Sequence, residues 1–414
     1  MKSKIYEKED DENEKLKNKE NEEKKGTNAF SKSSNTPQNP QVSKWRDLQI
    51  RTIWSLIMVI GFLLILALGH IYCALLVLII VICINSELID ISRYKEKNSE
   101  IKNYYLISWG IFLLGIYFLY IKNIKYKLAF LYRFPIINYL LTYHTFICFM
   151  LYMIIFFIFI KSLQTGYYRY QFRQFTYNQI IVLIFGISSS LIINNIFNGL
   201  IWFLLPASCV IVNDISAYIW GRMFGKHQLT PLSPKKTWEG YIGALFTTLL
   251  WSYCFSEFLV GYEFMLCPVN QINFIPFNIF NMKCDTSKFT KIYNVMWEIP
   301  IIGKITFNLK NIHFHSSAMA MFSSLVAPLG GLFASAFKRS IKIKDFADTI
   351  PGHGGLTDRM DCQLLNGVFT TVWLYQFVFY DEKKIIYNLY KKIDKMSYEQ
   401  KEYIYDFLKK NLRF

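Results

Sequence analysis

The chain has 414 residues, 53% hydrophobic and 18% aromatic, with 46 Lys and Arg against 30 Asp and Glu for a formal charge of +16. A soluble protein of this length would hold two or three domains; the apolar and aromatic excess excludes that class and points to a polytopic membrane chain. The basic residues lie in short segments between apolar runs, not in one patch interleaved with exposed aromatics, which argues against nucleic acid.

Residues 1–51 carry 12 Lys and Arg and 10 Asp and Glu, so +2 of the charge lies there and +14 in residues 52–414. That first stretch is rich in Lys, Glu and Asn, has no apolar period and reads as a disordered polar tail. It lacks the short basic start and apolar run of a secretory signal and is too acidic for a transit peptide, so targeting falls to the first apolar span. The +14 is explained by anionic headgroups, the positive-inside bias or an anionic substrate.

A helix crossing about 30 Å of hydrocarbon needs about 20 mostly apolar residues. That criterion predicts an all-α polytopic integral membrane protein with spans near 52–69, 70–89, 104–121, 144–163, 179–196, 198–220, 240–262, 315–337 and 362–380. The count is about nine, within one membrane domain over 52–380. Residues 128–143, broken by Arg133 and Pro135, read as an interfacial or re-entrant piece. The longest insert is 263–314, polar and aromatic by turns, and 381–414 is a basic amphipathic tail suited to a membrane surface.

Eight cysteines are scattered without Cys-x-x-Cys or Cys/His ligand spacing, which argues against zinc. Cys267 and Cys284 share one polar insert and would pair only if that insert is lumenal. In 315–337, Ala320, Ser323, Ser324, Ala327, Gly330, Gly331 and Ala334 recur at spacings of three and four, a stripe that lets helices approach closely in lipid.

Two charged constellations carry the chemistry. The first is Asn213-Asp214 inside an apolar span, followed by Arg222 and by Ser233-Pro234-Lys235-Lys236-Thr237-Trp238-Glu239-Gly240. A carboxylate within a span is costly unless paired, hydrated or bound to a cation, which makes Asp214 a functional candidate. Ser233 can be read as a helix cap and the lysines as snorkelling to the headgroups. The second lies in 335–361, where Lys338, Arg339, Lys342, Lys344 and Arg359 surround the Gly352-His353-Gly354-Gly355 turn and Asp358 and Asp361 stand three apart. Glycines let the backbone approach an anion closely. Two carboxylates at that spacing suit Mg²⁺, and the basic residues supply the field a triphosphate needs. His353 is read as a ligand, a proton donor or a loop hydrogen bonder. If both loops form one site they share a side of the membrane, and two spans between them permit that. Counting back places the N-terminal tail on the same side and both 122–134 and the C-terminal tail on the other, against the positive-inside bias.

There is no Gly-x-Ser-x-Gly elbow, Walker-type loop or Cys/His couple. A phosphate monoester, with a second pKa near about 6, is itself a nucleophile at neutral pH.

Taken together, Ser335-x-x-Lys338-Arg339, Lys344-Asp345-Phe346, Ile350-Pro351-Gly352-His353-Gly354-Gly355 and Asp358-Arg359-x-Asp361 resemble the signature of the phosphatidate cytidylyltransferases, also called CDP-diacylglycerol synthases. Gly199-Leu200-Ile201-Trp202-Phe203 and the Asn213–Gly240 blocks extend the resemblance over roughly 195–365, closer to the eukaryotic than the bacterial branch. It implies the reaction of CTP with phosphatidate to give CDP-diacylglycerol and pyrophosphate, with Mg²⁺, in the endoplasmic reticulum membrane with the site facing the cytosol. By matching position it implies Asp358 and Asp361 as metal ligands with Asp214 as a further one, and Lys338, Arg339, Asp358, Arg359 and Asp361 as the catalytic set. Lys235, Lys236, Thr237, Glu239, His353, Gly354 and Gly355 would bind substrate. Bacterial relatives suggest a second cation, which could be monovalent. The partners are CTP, phosphatidate and the bilayer, with a homodimer as an open possibility. Two other readings stay open: a CTP-dependent kinase or cytidylyltransferase acting on another membrane lipid, and an anion transporter.

Overall fold

The computed structural model describes residues 40–93, 104–127, 132–379 apart from 232, 234, 235, 300–302, 348 and 350–353, and then 389, 391–394 and 396–412. These residues are almost entirely helical. The main helices are α1 (Pro40–Leu68), α2 (His70–Arg93), α3 (Tyr104–Ile124), α4 (Pro135–Thr142), α5 (His144–Ser162), α6 (Tyr168–Ile181), α7 (Ile187–Phe197), α8 (Ile201–Phe224), α9 (Trp238–Val260), α10 (Asn311–Leu325), α11 (Ala327–Ser340), α12 (Thr357–Trp373) and α13 (Tyr398–Leu412). One antiparallel hairpin, β1 (Ile292–Ile299) with β2 (Gly303–Lys310), lies in the long insert.

The chain divides into two units, residues 1–57 and 58–414. In the first, helix begins at Pro40, twelve positions before the expected span. A proline is tolerated in a first helical turn, and extending an established helix is far easier than nucleating one.

Within residues 58–414 the core sits where α2, α3, α7 and α8 meet, around Val81, Phe112, Ile196 and Leu200. Among the described residues eight segments are long and apolar enough to cross a membrane, against the nine expected. The shortfall is α12. It runs through a π-helical turn (Leu374–Val378), so it has the length, but Gln363, Asn366, Thr370 and Thr371 make it too polar to qualify by composition. Those side chains face protein. Asn366 Nδ2 donates to Pro206 O at 2.8 Å and Ser323 Oγ at 2.8 Å, Gln363 Nε2 donates to Ala207 O at 3.2 Å, and Thr371 Oγ1 donates to Asn195 Oδ1 at 2.8 Å. In lipid every buried polar group needs such a partner, and α12 obtains them by lying inside the bundle.

The segment expected as one span over 315–337 is two helices, α10 and α11, meeting at Val326. Pro328, in the first turn of α11, cannot donate to a preceding turn and marks the break. The small-residue stripe packs closely as expected, against α8 and α12: Ala320, Ser323, Ser324 and Ala327 are buried, Ser323 Oγ accepts from Asn366 Nδ2, and Ala327 lies against Val210 and Cys362.

The long insert closes the end of the bundle reached by the C-terminus of α9. Cys267 and Cys284 are joined by a disulfide. Val269 N donates to Phe197 O at 2.8 Å, and Lys127 Nζ donates to Val269 O. Part of the basic charge at 122–134 is thus bound to the insert, which weakens its force in the charge-bias argument.

Candidate functional site

At the other end of the bundle the C-terminus of α8, the N-terminus of α9, the C-terminus of α11 and the N-terminus of α12 come together. Glycines set the spacing. A Cβ on Gly240 would lie 2.7 Å from Ala217 O, and one on Gly243 would lie 2.4 Å from the Trp220 ring, so α8 and α9 cross at a distance only glycine permits. A Cβ on Gly330 would lie 2.9 Å from Asp361 O, which brings α11 equally close to α12.

The loop 225–237 folds back on itself between α8 and α9. Leu229 N donates to Lys236 O at 2.8 Å, Trp238 N donates to His227 O at 3.0 Å, and Gln228 and Thr237 form an antiparallel bridge. Thr237, not Ser233, caps α9, its hydroxyl accepting from Gly240 N at 3.2 Å. Ser233 N instead donates to Thr230 O in a tight turn. Glu239 closes the loop: its carboxylate accepts from Lys226 N at 3.1 Å and His227 N at 3.2 Å and pairs with His227 Nδ1 at 2.6 Å. These contacts fix where Lys236 leaves the backbone.

Asp214, an exposed residue, lies ten residues before the end of α8, about 15 Å along the axis. It is near enough to Lys236, Asp361 and Arg359 for their charges to act on it. Lys236 also acts on Asp361. One ammonium therefore lies within electrostatic reach of two carboxylates from separate constellations. Gly331 leaves room there, since a Cβ on it would lie 3.4 Å from Asp361 Oδ2 and 3.8 Å from Lys236 Nζ. Asp361 Oδ1 accepts from Cys362 N at 2.7 Å, which leaves Oδ2 directed to that space.

Asp358, one turn earlier on α12, has different partners. Its Oδ1 accepts from Lys338 Nζ at 2.5 Å and its Oδ2 from Phe346 N at 3.0 Å, with little side-chain exposure on either Lys338 or Asp358. Lys338 also lies over the Phe346 ring, 5.5 Å from its centre. Arg339 is exposed and braces the following turn through Ile343 O at 3.4 Å. Arg359 is exposed on the first turn of α12. Gly354 has φ +81°, the left-handed conformation glycine tolerates without strain, and Gly355 is buried.

Lys235 and His353 lie outside the described residues. Among the described residues no group of three His, Cys, Asp or Glu is gathered closely enough to hold a metal. The two constellations are brought together through Asp214, Lys236, Arg359 and Asp361, whereas Asp358 is engaged with Lys338. Sequence reasoning missed Glu87 of α2, which is buried and accepts from Leu356 N and Thr357 N at the start of α12. A carboxylate inside an apolar span was the available signal, the same one that marked Asp214.

The model of the Cytidylyltransferase family matches residues 49–377. Phosphatidate cytidylyltransferase from Saccharomyces cerevisiae is 38% identical over 335 residues, covering 80% of this chain and 72% of its own. Phosphatidate cytidylyltransferase 1 of Arabidopsis thaliana is 34% identical over 375 residues, 88% of this chain and 87% of its own. Phosphatidate cytidylyltransferase 2 of Homo sapiens is 39% identical over 340 residues, 81% and 76%.

Proposed function

Because the chain belongs to the cytidylyltransferase family, with eukaryotic phosphatidate cytidylyltransferases among its relatives, we propose that it transfers the cytidylyl group of CTP to phosphatidate, giving CDP-diacylglycerol and pyrophosphate for phospholipid biosynthesis. The observation that carries the reading is the convergence of Asp361 Oδ2 and Lys236 Nζ on the space beside Gly331 at one end of a membrane bundle, with Asp214 within electrostatic reach of both. That end combines a cationic field with carboxylates, which suits a triphosphate and a lipid phosphate brought together.

In this reaction an oxygen of the phosphatidate phosphate attacks the α-phosphorus of CTP in line. A new P–O–P bond forms, and the bond to the β-phosphate breaks with its electrons leaving on pyrophosphate. No proton need be removed, since the attacking phosphate is already ionised, so catalysis rests on positioning and charge neutralisation. Lys236 and Arg359 face the carboxylates and are proposed to hold phosphate oxygens. Lys338, paired with Asp358, and Arg339 at the following turn are proposed to hold the edge of the site facing the lipid phosphate. Thr237 and Glu239 shape the Lys236 loop, Gly354 is proposed to let backbone approach the substrate, and Gly355 leaves room for the Glu87 and Asp358 carboxylates.

The donor set fits Mg²⁺, which is commonly held by one or two carboxylates and completed by waters and substrate phosphates. Asp361 Oδ2 is directed to the space beside Gly331 and Lys236 Nζ, and Asp214 is within electrostatic reach; these two are proposed to hold the ion. Both oxygens of Asp358 are engaged, so it is proposed to set Lys338 and the Phe346 loop. When bound, Mg²⁺ supplies charge stabilisation to the departing pyrophosphate.

The Cys267–Cys284 disulfide lies in the insert at the opposite end of α9 from Lys236. Disulfides persist in oxidising compartments, which supports a lumenal insert, a cytosolic site and residence in the endoplasmic reticulum membrane.

The test uses purified full chain in mixed micelles with phosphatidate, Mg²⁺ and CTP labelled at the α- or the γ-phosphorus. The proposal requires α-label in the lipid and γ-label in pyrophosphate, with ATP, GTP and UTP poor substitutes. γ-Label in the lipid would instead identify a kinase, and anion movement across liposomes without CTP consumption a transporter.

A further inference from the structure

Glu87 lies near the C-terminal end of α2, some 270 positions before the residues it touches. It is 7% exposed, and its carboxylate accepts four hydrogen bonds from two stretches of the 344–357 region. Oε1 accepts from Leu356 N at 2.8 Å and from the Thr349 hydroxyl; Oε2 accepts from Thr357 N at 2.9 Å and Thr357 Oγ1 at 2.7 Å. Leu356 and Thr357 form the start of α12, where backbone N–H groups have no acceptor within the helix and where the helix dipole favours negative charge. Asp358 and Asp361 follow within the next turn.

Gly355 joins this carboxylate to the one beside it. A Cβ there would lie 3.2 Å from Glu87 Oε2, 3.1 Å from Asp358 Oδ2 and 2.9 Å from Ala347 N. Glu87 and Asp358 therefore converge on the same glycine from two sides, one bonding the backbone that begins α12, the other bonding Phe346 N and Lys338. Glu87, Thr349, Asp345 and Phe346 also line a cavity of about 710 Å³ between α2 and this loop, beside which Ile84 and Leu88 of α2 pack in one apolar cluster with Phe346 and Leu356.

We propose that Glu87 is a positioning residue of the transfer site: its carboxylate latches Thr349 and the Gly355–Thr357 turn to α2 and so fixes the direction in which Asp358 and Asp361 leave α12. The proposal rests on the reaction assigned above. It demands a carboxylate. Each oxygen accepts from one backbone N–H, and in Glu87→Gln the amide nitrogen must face one of these; a hydroxyl can turn to accept from it, but a backbone N–H cannot.

The full chain is compared with Glu87→Gln, Thr357→Val and Thr349→Val in mixed micelles. Activity is expressed per folded enzyme, and hydrogen–deuterium exchange is followed at the Leu356 and Thr357 amides. Glu87→Gln is expected to lower kcat about tenfold to a hundredfold with the KM for phosphatidate within about twofold, and to speed exchange at those two amides at least about tenfold while leaving α9 unchanged. Each valine variant, losing one hydroxyl donor, is expected to lower kcat about threefold to tenfold. A folded Glu87→Gln enzyme with wild-type kcat and wild-type exchange overturns the proposal, as does a loss confined to the amount of folded protein. Should Glu87→Gln fail to fold, the valine variants decide, and wild-type kcat in both rejects the latch. If the wild-type chain itself transfers no cytidylyl group, the reaction assignment fails, while the exchange readout still judges the latch.

Discussion

Gly331→Ala separates activity from stability. The new methyl would lie 3.3 Å from Cys362 Sγ, 3.4 Å from Asp361 Oδ2 and 3.8 Å from Lys236 Nζ. The first two are tight contacts that neighbours relieve by moving a few tenths of an ångström. Replacing a mid-helix glycine by alanine gains about 1 kcal/mol, and mild overpacking costs about 1–3 kcal/mol, so the net change in stability is expected to be small, at most about 2 kcal/mol of loss. Activity responds differently, because the methyl fills the space between Asp361 and Lys236 where a phosphate and its cation would sit. A displacement of order 1 Å at reacting groups costs about a hundredfold. The prediction is a melting temperature within a few degrees of wild type with kcat/KM for CTP lowered about tenfold to a hundredfold, measured by transfer of α-labelled CTP to lipid and by thermal unfolding in detergent. Gly330→Ala is the contrast: its Cβ would meet Asp361 O at 2.9 Å, a backbone atom that cannot swing away, so both stability and activity should fall. Wild-type kcat/KM in Gly331→Ala would refute the placement of substrate phosphate at this point.

Removing Lys338 should strand the mostly buried Asp358 carboxylate, and Lys338→Met is expected to destabilise the protein by about 3 kcal/mol, read as a lowered melting temperature, and to lose turnover. Cys267→Ser/Cys284→Ser removes a cross-link over 17 positions and is expected to cost about 3 kcal/mol while leaving kcat within about twofold, because the insert lies at the far end of α9 from Lys236. Thr237→Ala deletes the α9 cap and should cost about 1 kcal/mol and raise the KM for CTP, as the loop presenting Lys236 loosens.

Most of the membrane helices were legible because a run of apolar residues long enough to cross lipid has few other uses; α2, α3, α5, α8 and α9 fall close to their expected limits. The helix expected over 362–380 is present as α12 and its π-helical turn, but it is buried by protein and falls short of a membrane span by composition. Asn366 and Thr371 of α12 look like poor membrane residues until Pro206 O and Asn195 supply their partners, which lie far away in the chain. The apolar pattern does not show the break at Val326, where Pro328 begins a second helix, although α10 and α11 together still make one segment long and apolar enough to cross a membrane. In the site, the two constellations were visible as charges that a membrane chain would otherwise avoid. What no spacing rule could show was how carboxylates would be divided between roles. Asp358 and Asp361 share a helix turn, yet the first is taken by Lys338 and Phe346 N and the second opens toward Lys236. Glu87 stayed hidden because its four donors come from residues more than 260 positions away.

The central claim, that residues from two separate loops act as one site, is tested most directly by a double-mutant cycle on transfer rate with Asp214→Asn, Asp361→Asn and the doubly substituted chain. Groups that act as a unit lose nearly everything on the first substitution, so the account predicts that each single variant falls at least about a thousandfold and that the double variant is no worse than the weaker single one. Losses that multiply, or a folded Asp214→Asn enzyme that keeps its wild-type rate, would contradict it.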